Sequence, residues 1–234
     1  FTLPRGGLMS QTKVFQTDLA AVGQSSRSRK LEERDLEYFL NALLAAGALL
    51  FLAPLMIVIS LMVFLHDGGP IFFAHRRVGR GGRSFPCLKF RSMATDAEAR
   101  LEKLLAADPE AQQEWAASHK LRADPRITRI GDFLRRSSLD ELPQLINVLR
   151  GEMSLVGPRP VVHAESAHYG HWFESYCSVR PGITGLWQVS GRSDVCYRRR
   201  VALDVLYVRR KSLAMDFGIL VQTVPAVLLH RGSC

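Results

Sequence analysis

The chain has 234 residues, 47% hydrophobic and 23% charged, which suits one globular domain with an appendage and is too short for two large ones. Its 31 Lys and Arg against 22 Asp and Glu give a net charge of +9, a field that attracts nucleic acid, anionic lipid or phosphorylated substrates. Cys87, Cys177, Cys196 and Cys234 are dispersed with no C-x-x-C pair, which excludes a zinc ribbon, a thioredoxin motif and a dense disulfide framework and fits a reducing compartment; the lack of G-x-x-x-x-G-K, H-E-x-x-H, G-x-S-x-G and D-x-D argues against Walker NTPases, zincins, α/β-hydrolases and D-x-D transferases.

Residues 1–34 are rich in Ser, Gln, Arg and Gly and read as a mobile polar tail without the layout of a signal peptide. From Phe39 to Leu65 run 27 residues with no charge and only Asn41 and Ser60 clearly polar, beyond the ~18 that mark a membrane helix. Residues 35–66 are therefore a membrane segment. Arg27, Arg29, Lys30 and Arg34 precede it and Arg76, Arg77, Arg80 and Arg83 follow it, so the positive-inside bias puts both ends on the cytoplasmic side. Pro54 falls near the middle, where it removes a backbone donor and clashes with the carbonyl of Leu50. Together these predict a re-entrant helix-break-helix, the alternative being a proline-kinked spanning helix.

Next, PIFFAHRRVGRGGRSFPCLKFRSM alternates apolar and polar residues around Gly79, Gly81 and Gly82, the pattern of two strands joined by a glycine-rich turn. Residues 97–120 are helical, interrupted near Pro109, with charged faces most simply solvated. PQLINVL at 143–149 is a short helix with Pro143 in its first turn, closed by Gly151. The apolar DFGILVQTVPAVLLH follows Arg198, Arg199, Arg200 and Arg209, Arg210, Lys211, and reads as an amphipathic helix in the membrane interface or as a core helix.

The densest run of chemistry is RRSSLDELPQL, Arg135–Leu145. Asp140 and Glu141 stand between two arginines and a helix start, so the helix N-terminus with Arg135 or Arg136 would keep both ionised, fit to attack phosphorus or to bind Mg²⁺. Equally, Ser138-x-x-Glu141 has the form of a structural capping box. Lys89 and Arg91 of KFRSM share a strand face where two cations could meet an anion, or stand on an exposed face. Arg159 lies between two prolines in LVGPRP, held for a bidentate phosphate contact or simply solvated on a rigid turn. DPRITRIG adds Arg126 and Arg129. RPGITGLWQVSGR adds Trp187 and Arg192 among three glycines, a cradle for nucleotide or sugar or else a structural loop. HAESAHYGH would bring Glu165 and His168 together on a helix, with too few acidic partners to favour a metal.

KFRSM, DPRITRIG, SLDELPQL, GEMSLVGPRPVV and RPGITGLWQVSGR occur here in the order seen in bacterial sugar transferases of the monotopic phosphoglycosyl transferase superfamily, which the chain resembles from about Asp35 onward. YRRRVALD and the following LDVLYVRRKSLAMDFGILVQTVPAVLLHRGS are similar to the short succinoglycan-type initiators of exopolysaccharide synthesis. The resemblance implies an α+β, mainly helical monotopic membrane protein with a re-entrant helix, a strand hairpin and interfacial amphipathic helices. It also implies a catalytic domain over 67–234, on the cytoplasmic face of the bacterial inner membrane. The implied reaction moves a sugar 1-phosphate, galactose 1-phosphate by subgroup, from a UDP-sugar (UDP-galactose or UDP-glucose) to undecaprenyl phosphate. UMP is released, and a covalent phosphosugar–aspartate forms on the way.

Carried onto matching positions, Asp140 is the implied nucleophile and Glu141 the implied Mg²⁺ ligand, with Asp140 beside it and Mn²⁺ as an alternative ion. Lys89, Arg91, Arg135 or Arg136, and Arg159 are the implied phosphate or nucleotide contacts. Relatives often carry Ser where this chain has Ala53, so the break rests on Pro54 alone. Nucleic acid is not an expected partner, because the basic residues are spread among Gly and Pro turns rather than gathered in one tract; the rival reading is a membrane-anchored basic binding protein without turnover.

Overall fold

The computed structural model describes residues 8–118, 121–191 and 196–228, with 8–34, 117–118 and 227–228 described by their backbone alone. Helix α1 spans Leu8–Asp67. The segment expected as a tail thus continues the helix from Leu8 onward. Its Gln, Ala, Leu, Lys, Glu and Arg residues are good helix formers, and polarity limits burial rather than helicity.

The expected break at Pro54 is also corrected, since the helix runs through it without interruption. A proline forfeits one donor and bends a helix, but it ends one only where nothing holds the two halves. Here one stripe of α1 is held on both sides of it. Ala45, Ala48, Leu49 and Leu52 pack with Phe85, Cys87, Leu145 and Met153, while Met56, Ile59 and Val63 pack with Phe90 and Leu134. The spacing of three and four residues is that of one helix face. The opposite face is bare: Leu43, Leu50, Phe51, Ile57, Leu61 and Leu65 are all exposed.

Both ends of this apolar stretch are tied to the same domain. At the N-terminal end the Tyr38 hydroxyl donates to Leu149 O at 2.9 Å, and Asn41 Oδ1 accepts from Ser154 Oγ at 2.9 Å and Leu155 N at 2.8 Å. At the C-terminal end Arg91 donates to the carbonyls of Val63 and Gly68 and to Asp67, whose other oxygen accepts from Thr95 N at 3.1 Å.

Strands β1 (Phe72–Val78) and β2 (Ser84–Phe90) form the expected antiparallel hairpin. Its register pairs Phe73 with Lys89, His75 with Cys87 and Arg77 with Phe85, so these six residues share one face. Helices α2 (Ala97–Ala107) and α3 (Pro109–Ser118) follow, broken near Pro109 as the sequence predicts. Helix α4 (Arg129–Arg136) leads through a single 3₁₀ turn at Leu139–Glu141 into α5 (Gln144–Leu149).

One pairing was not anticipated. Strands β3 (Ser154–Val156) and β4 (Gly182–Thr184) run parallel, Ser154 opposite Gly182 and Val156 opposite Thr184. This joins the two glycine-containing motifs LVGPRP and RPGITG. A Cβ at Gly182 would come within 2.1 Å of Gly157 N, so close backbone approach accounts for the glycine there.

The remaining helices, α6 (Ser166–Tyr169), α7 (Phe173–Cys177), α8 (Leu186–Val189), α9 (Tyr197–Arg210) and α10 (Leu213–Leu228), cover this pair and the end of the hairpin. On α10, Ile219 is buried against Val156 and Tyr207, while Leu213, Phe217, Val221 and Val224 form an exposed apolar stripe. The helix therefore serves the core with one face and leaves the other unpartnered.

Candidate functional site

Asp140 and Glu141 lie on the 3₁₀ turn between α4 and α5. The turn is entered through Ser138, whose φ of +57° makes it the one non-glycine residue in the left-handed region among the described residues, a conformation of the kind retained where function requires it. The capping box does not form. Ser138 makes no side-chain cap, and the Glu141 carboxylate turns to Lys89 at the end of β2, with Nζ 2.7 Å from Oε1. Lys89 Nζ is also 3.5 Å from Asp140 Oδ2, and Arg159 Nη1 is 3.6 Å from Glu141 Oε1. The end of β2 and a proline-flanked loop thus converge on two adjacent carboxylates.

Their electrostatics separate them. Burial works to raise the pKa of Glu141, but Lys89 and then Arg159 overcome it and hold the group down at about 2. At Asp140 burial wins: its pKa is raised, Lys89 opposing and Glu141 reinforcing the shift. The sequence assigns the ionisation of both to the helix N-terminus and Arg135 or Arg136; at Glu141 the main cations are Lys89 and Arg159 instead, and at Asp140 a shift set by burial is opposed by Lys89 and Arg135. Asp140 is 7% exposed, and the loss of hydration of its charged form outweighs a cation at 3.5 Å.

Glu141 lines a cleft of about 250 Å³ together with Arg77, Cys87, Lys89, Gln144, Arg159, Pro160 and Ile183, and Asp140 adjoins it in sequence. In the sequence Arg77 counts only as a charge flanking the membrane segment, although its position on the hairpin face shared with Lys89 is a strand-alternation signal. It donates to Pro160 O at 3.4 Å and pairs with Glu165 at 3.6 Å. Buried Tyr176 welds the two arginine-bearing segments: its hydroxyl donates to Val78 O at 3.0 Å, with Arg159 O at 3.3 Å, and accepts from Val161 N at 3.2 Å. Cys87 is a closed thiol, pushed up to about 11 by burial.

The other residues singled out in the sequence are dispersed. Arg91 does not continue the Lys89 face, because β2 ends at Phe90 and the guanidinium turns to the end of α1. Arg135 Nε donates to Ser92 Oγ at 2.9 Å and from there helps offset the burial of Asp140. Arg136 forms an exposed pair with Asp132 at 2.7 Å. Arg126 forks onto Asp124 at 2.6 Å and lies 4.7 Å over the Trp115 ring. Arg129 is exposed at the start of α4, and Arg192 lies outside the described residues. Trp187 stacks under Arg200 at 4.7 Å, away from the cleft. His168 packs on Tyr197 and His171 on Trp172, and no group of three metal-ligating side chains occurs among the described residues.

Glu141 with Arg77, Lys89 and Arg159 at one cleft, and Asp140 beside Glu141, make an arrangement with the chemistry to receive a phosphate-bearing ligand. Comparison with known proteins gives the family: the model for "Bacterial sugar transferase" matches residues 32–230, and the chain belongs to that family. It is 51% identical over 193 residues to the exopolysaccharide production protein ExoY of Rhizobium meliloti, covering 82% of this chain and 85% of that one. It is 46% identical to the UDP-galactose-lipid carrier transferase of Erwinia amylovora and 44% identical to the undecaprenyl-phosphate galactose phosphotransferase of Salmonella typhimurium. In each of these two the match covers 94% of this chain and 46% of the relative, so the chain spans about half their length.

Proposed function

We propose that the protein transfers a sugar 1-phosphate, galactose 1-phosphate in our reading, from a UDP-sugar to undecaprenyl phosphate with release of UMP. The observation that carries this is the buried Asp140 beside a Glu141 engaged by Lys89 and Arg159. The choice of galactose rests on the names of the Erwinia and Salmonella relatives.

An ionised Asp140 oxygen attacks the sugar-bearing phosphorus, and the bond to the UMP oxygen breaks, UMP leaving with the electron pair. A phosphate oxygen of the lipid then attacks the same phosphorus and displaces the Asp140 carboxylate. Arg77, Lys89 and Arg159 offset the charge that builds on the phosphoryl oxygens in both steps. The donor set fits a hard divalent ion: Glu141 and Asp140 supply oxygen ligands, and Mg²⁺ commonly takes one or two carboxylates and completes its shell with substrate phosphate and water. When bound, Mg²⁺ or Mn²⁺ would neutralise diphosphate charge.

We read the chain as monotopic in the bacterial inner membrane, with the catalytic domain on the cytoplasmic face. The domain engages one face of α1 from Tyr38 to Asp67, leaving the other face and the α10 stripe to lipid. The site then lies at headgroup height, where a lipid-borne phosphate is found.

The product separates this reaction from its neighbours. Purified protein given a panel of UDP-sugars and undecaprenyl phosphate should release UMP. Release of UDP would mean transfer of the sugar without its phosphate, and no nucleotide product would leave a binding protein.

A further inference from the structure

The cleft contains one polar side chain that the proposed chemistry leaves unused. Gln144, in the first turn of α5, is 2% exposed and lines the cleft with Lys89 and Glu141. Its neighbours on α5 are satisfied: Asn147, also buried, donates to Pro86 O at 2.8 Å and Glu152 Oε2 at 2.6 Å and accepts from Leu88 N at 3.0 Å. The Gln144 amide, by contrast, makes no side-chain hydrogen bond among the described residues and is not among the fully buried unpartnered groups, so what exposure it has is toward the cleft it lines. An amide at a cleft wall with no partner in the protein is free to bond a ligand that enters.

We propose that Gln144 is a specificity-determining contact to a hydroxyl group of the sugar-nucleotide donor. This rests on the function proposed above. The side chain's chemistry selects the partner. An amide offers a carbonyl acceptor and an N–H donor side by side, which matches a hydroxyl, itself both donor and acceptor. A phosphate only accepts, would repel the amide oxygen, and already meets Arg77, Lys89 and Arg159 in the same cleft. The other uncharged lining residues are Cys87, Pro160 and Ile183, none with a strong side-chain donor or acceptor, so among the lining residues Gln144 is the uncharged group able to read a hydroxyl. Sites that hydrogen-bond a substrate hydroxyl reject the analogue lacking it more sharply than apolar pockets reject a shape change.

The full-length enzyme and its Gln144→Met variant, which keeps the volume and drops both hydrogen bonds, are compared with intact UDP-galactose, its deoxy-hexose analogues and its 2′- and 3′-deoxyribose analogues. Wild type should lose at least 10-fold in kcat/KM on one hydroxyl deletion. Gln144→Met should lose a similar factor on the intact donor and show no further loss on that same deletion. The hexose and ribose arms then tell which ring carries the hydroxyl. If Gln144→Met discriminates among the analogues as wild type does, or if wild type tolerates every deletion, the proposal is overturned. A shift in the Mg²⁺ concentration needed for half-maximal rate, with discrimination intact, would make Gln144 a metal contact instead and equally overturn it. Should the Met variant fail to fold, Gln144→Asn, with its amide one methylene short, takes its place under the same criteria. Failure of wild type to release UMP from any UDP-sugar would instead refute the underlying reaction.

Discussion

Lys89 donates to Glu141 across 2.7 Å, fastening the end of β2 to the turn that carries both carboxylates. The same ammonium is the main cation opposing the burial of Asp140. Removing it should raise the Asp140 pKa further and release Glu141 from its value of about 2. Asp140 must be ionised to attack, so activity falls as pH drops through its raised pKa. Lys89→Met should therefore move the acid limb of kcat/KM to higher pH and lower its plateau by on the order of 10²–10³-fold. A pH–rate profile checks both, and an acid limb that stays in place would separate Lys89 from the ionisation of Asp140.

Asp140→Asn keeps the size of the side chain and removes the nucleophilic carboxylate. With wild type, UMP should appear before any lipid acceptor is added, and a labelled phosphosugar should remain on the protein. The variant should lose both signals by at least 10³-fold while its melting temperature holds or rises, because a buried charge is gone. Glu141→Gln should be impaired as well, with partial recovery in excess Mg²⁺. Wild-type transfer by Asp140→Asn, once deamidation is excluded by mass spectrometry, would sink the covalent mechanism.

Tyr38 and Val63 are about 38 Å apart along a helix rising 1.5 Å per residue, more than the ~30 Å hydrocarbon core, yet both ends touch one domain. Single cysteines at Leu36 and at Ser84, in a variant freed of its native cysteines, should both react with an impermeant thiol reagent from the cytoplasmic side of sealed vesicles. Labelling from opposite sides would require α1 to span.

Asp204 receives the Tyr169 hydroxyl at 2.7 Å on one oxygen while the other has no partner. Burial raises its pKa from 3.8 to about 7, against the pull of Tyr169 and Arg200. The folded chain thus holds a proton that the unfolded chain gives up. The associated stability is complete below pH ~4 and is lost as pH rises through about 7. Asp204→Asn should raise the melting temperature at pH 8 by about 5 °C, the scale of 1–2 kcal/mol in a domain of this size, with little gain at pH ~4, where the unfolded chain takes up the proton as well. An equal gain at both values would assign the effect to packing.

Local patterning made much of this chain legible. The uncharged run from Phe39 to Leu65, the hairpin around Gly81 and Gly82, the helix break at Pro109 and the Asp140–Glu141 pair each follow from residues close in sequence, where period, turn chemistry and charge decide the outcome. Those features hold in the structure. Reading Pro54 as a break failed because a proline's local cost is offset by packing on either side of it, supplied by residues such as Phe85 and Phe90 that lie 30 and more positions away.

What only the tertiary structure decided is which cations meet the carboxylates and how the carboxylates ionise. Lys89 and Arg91 are two residues apart and look equivalent, but β2 ends between them, so one reaches Glu141 and the other the end of α1. Arg77 enters the cleft through strand pairing, and Tyr176 sets its position relative to Arg159. The presence of two adjacent carboxylates is a property of the chain. Their division into a buried Asp140 with a raised pKa and a Glu141 held low is a property of the fold, because desolvation and cation distance are set by neighbours remote in sequence.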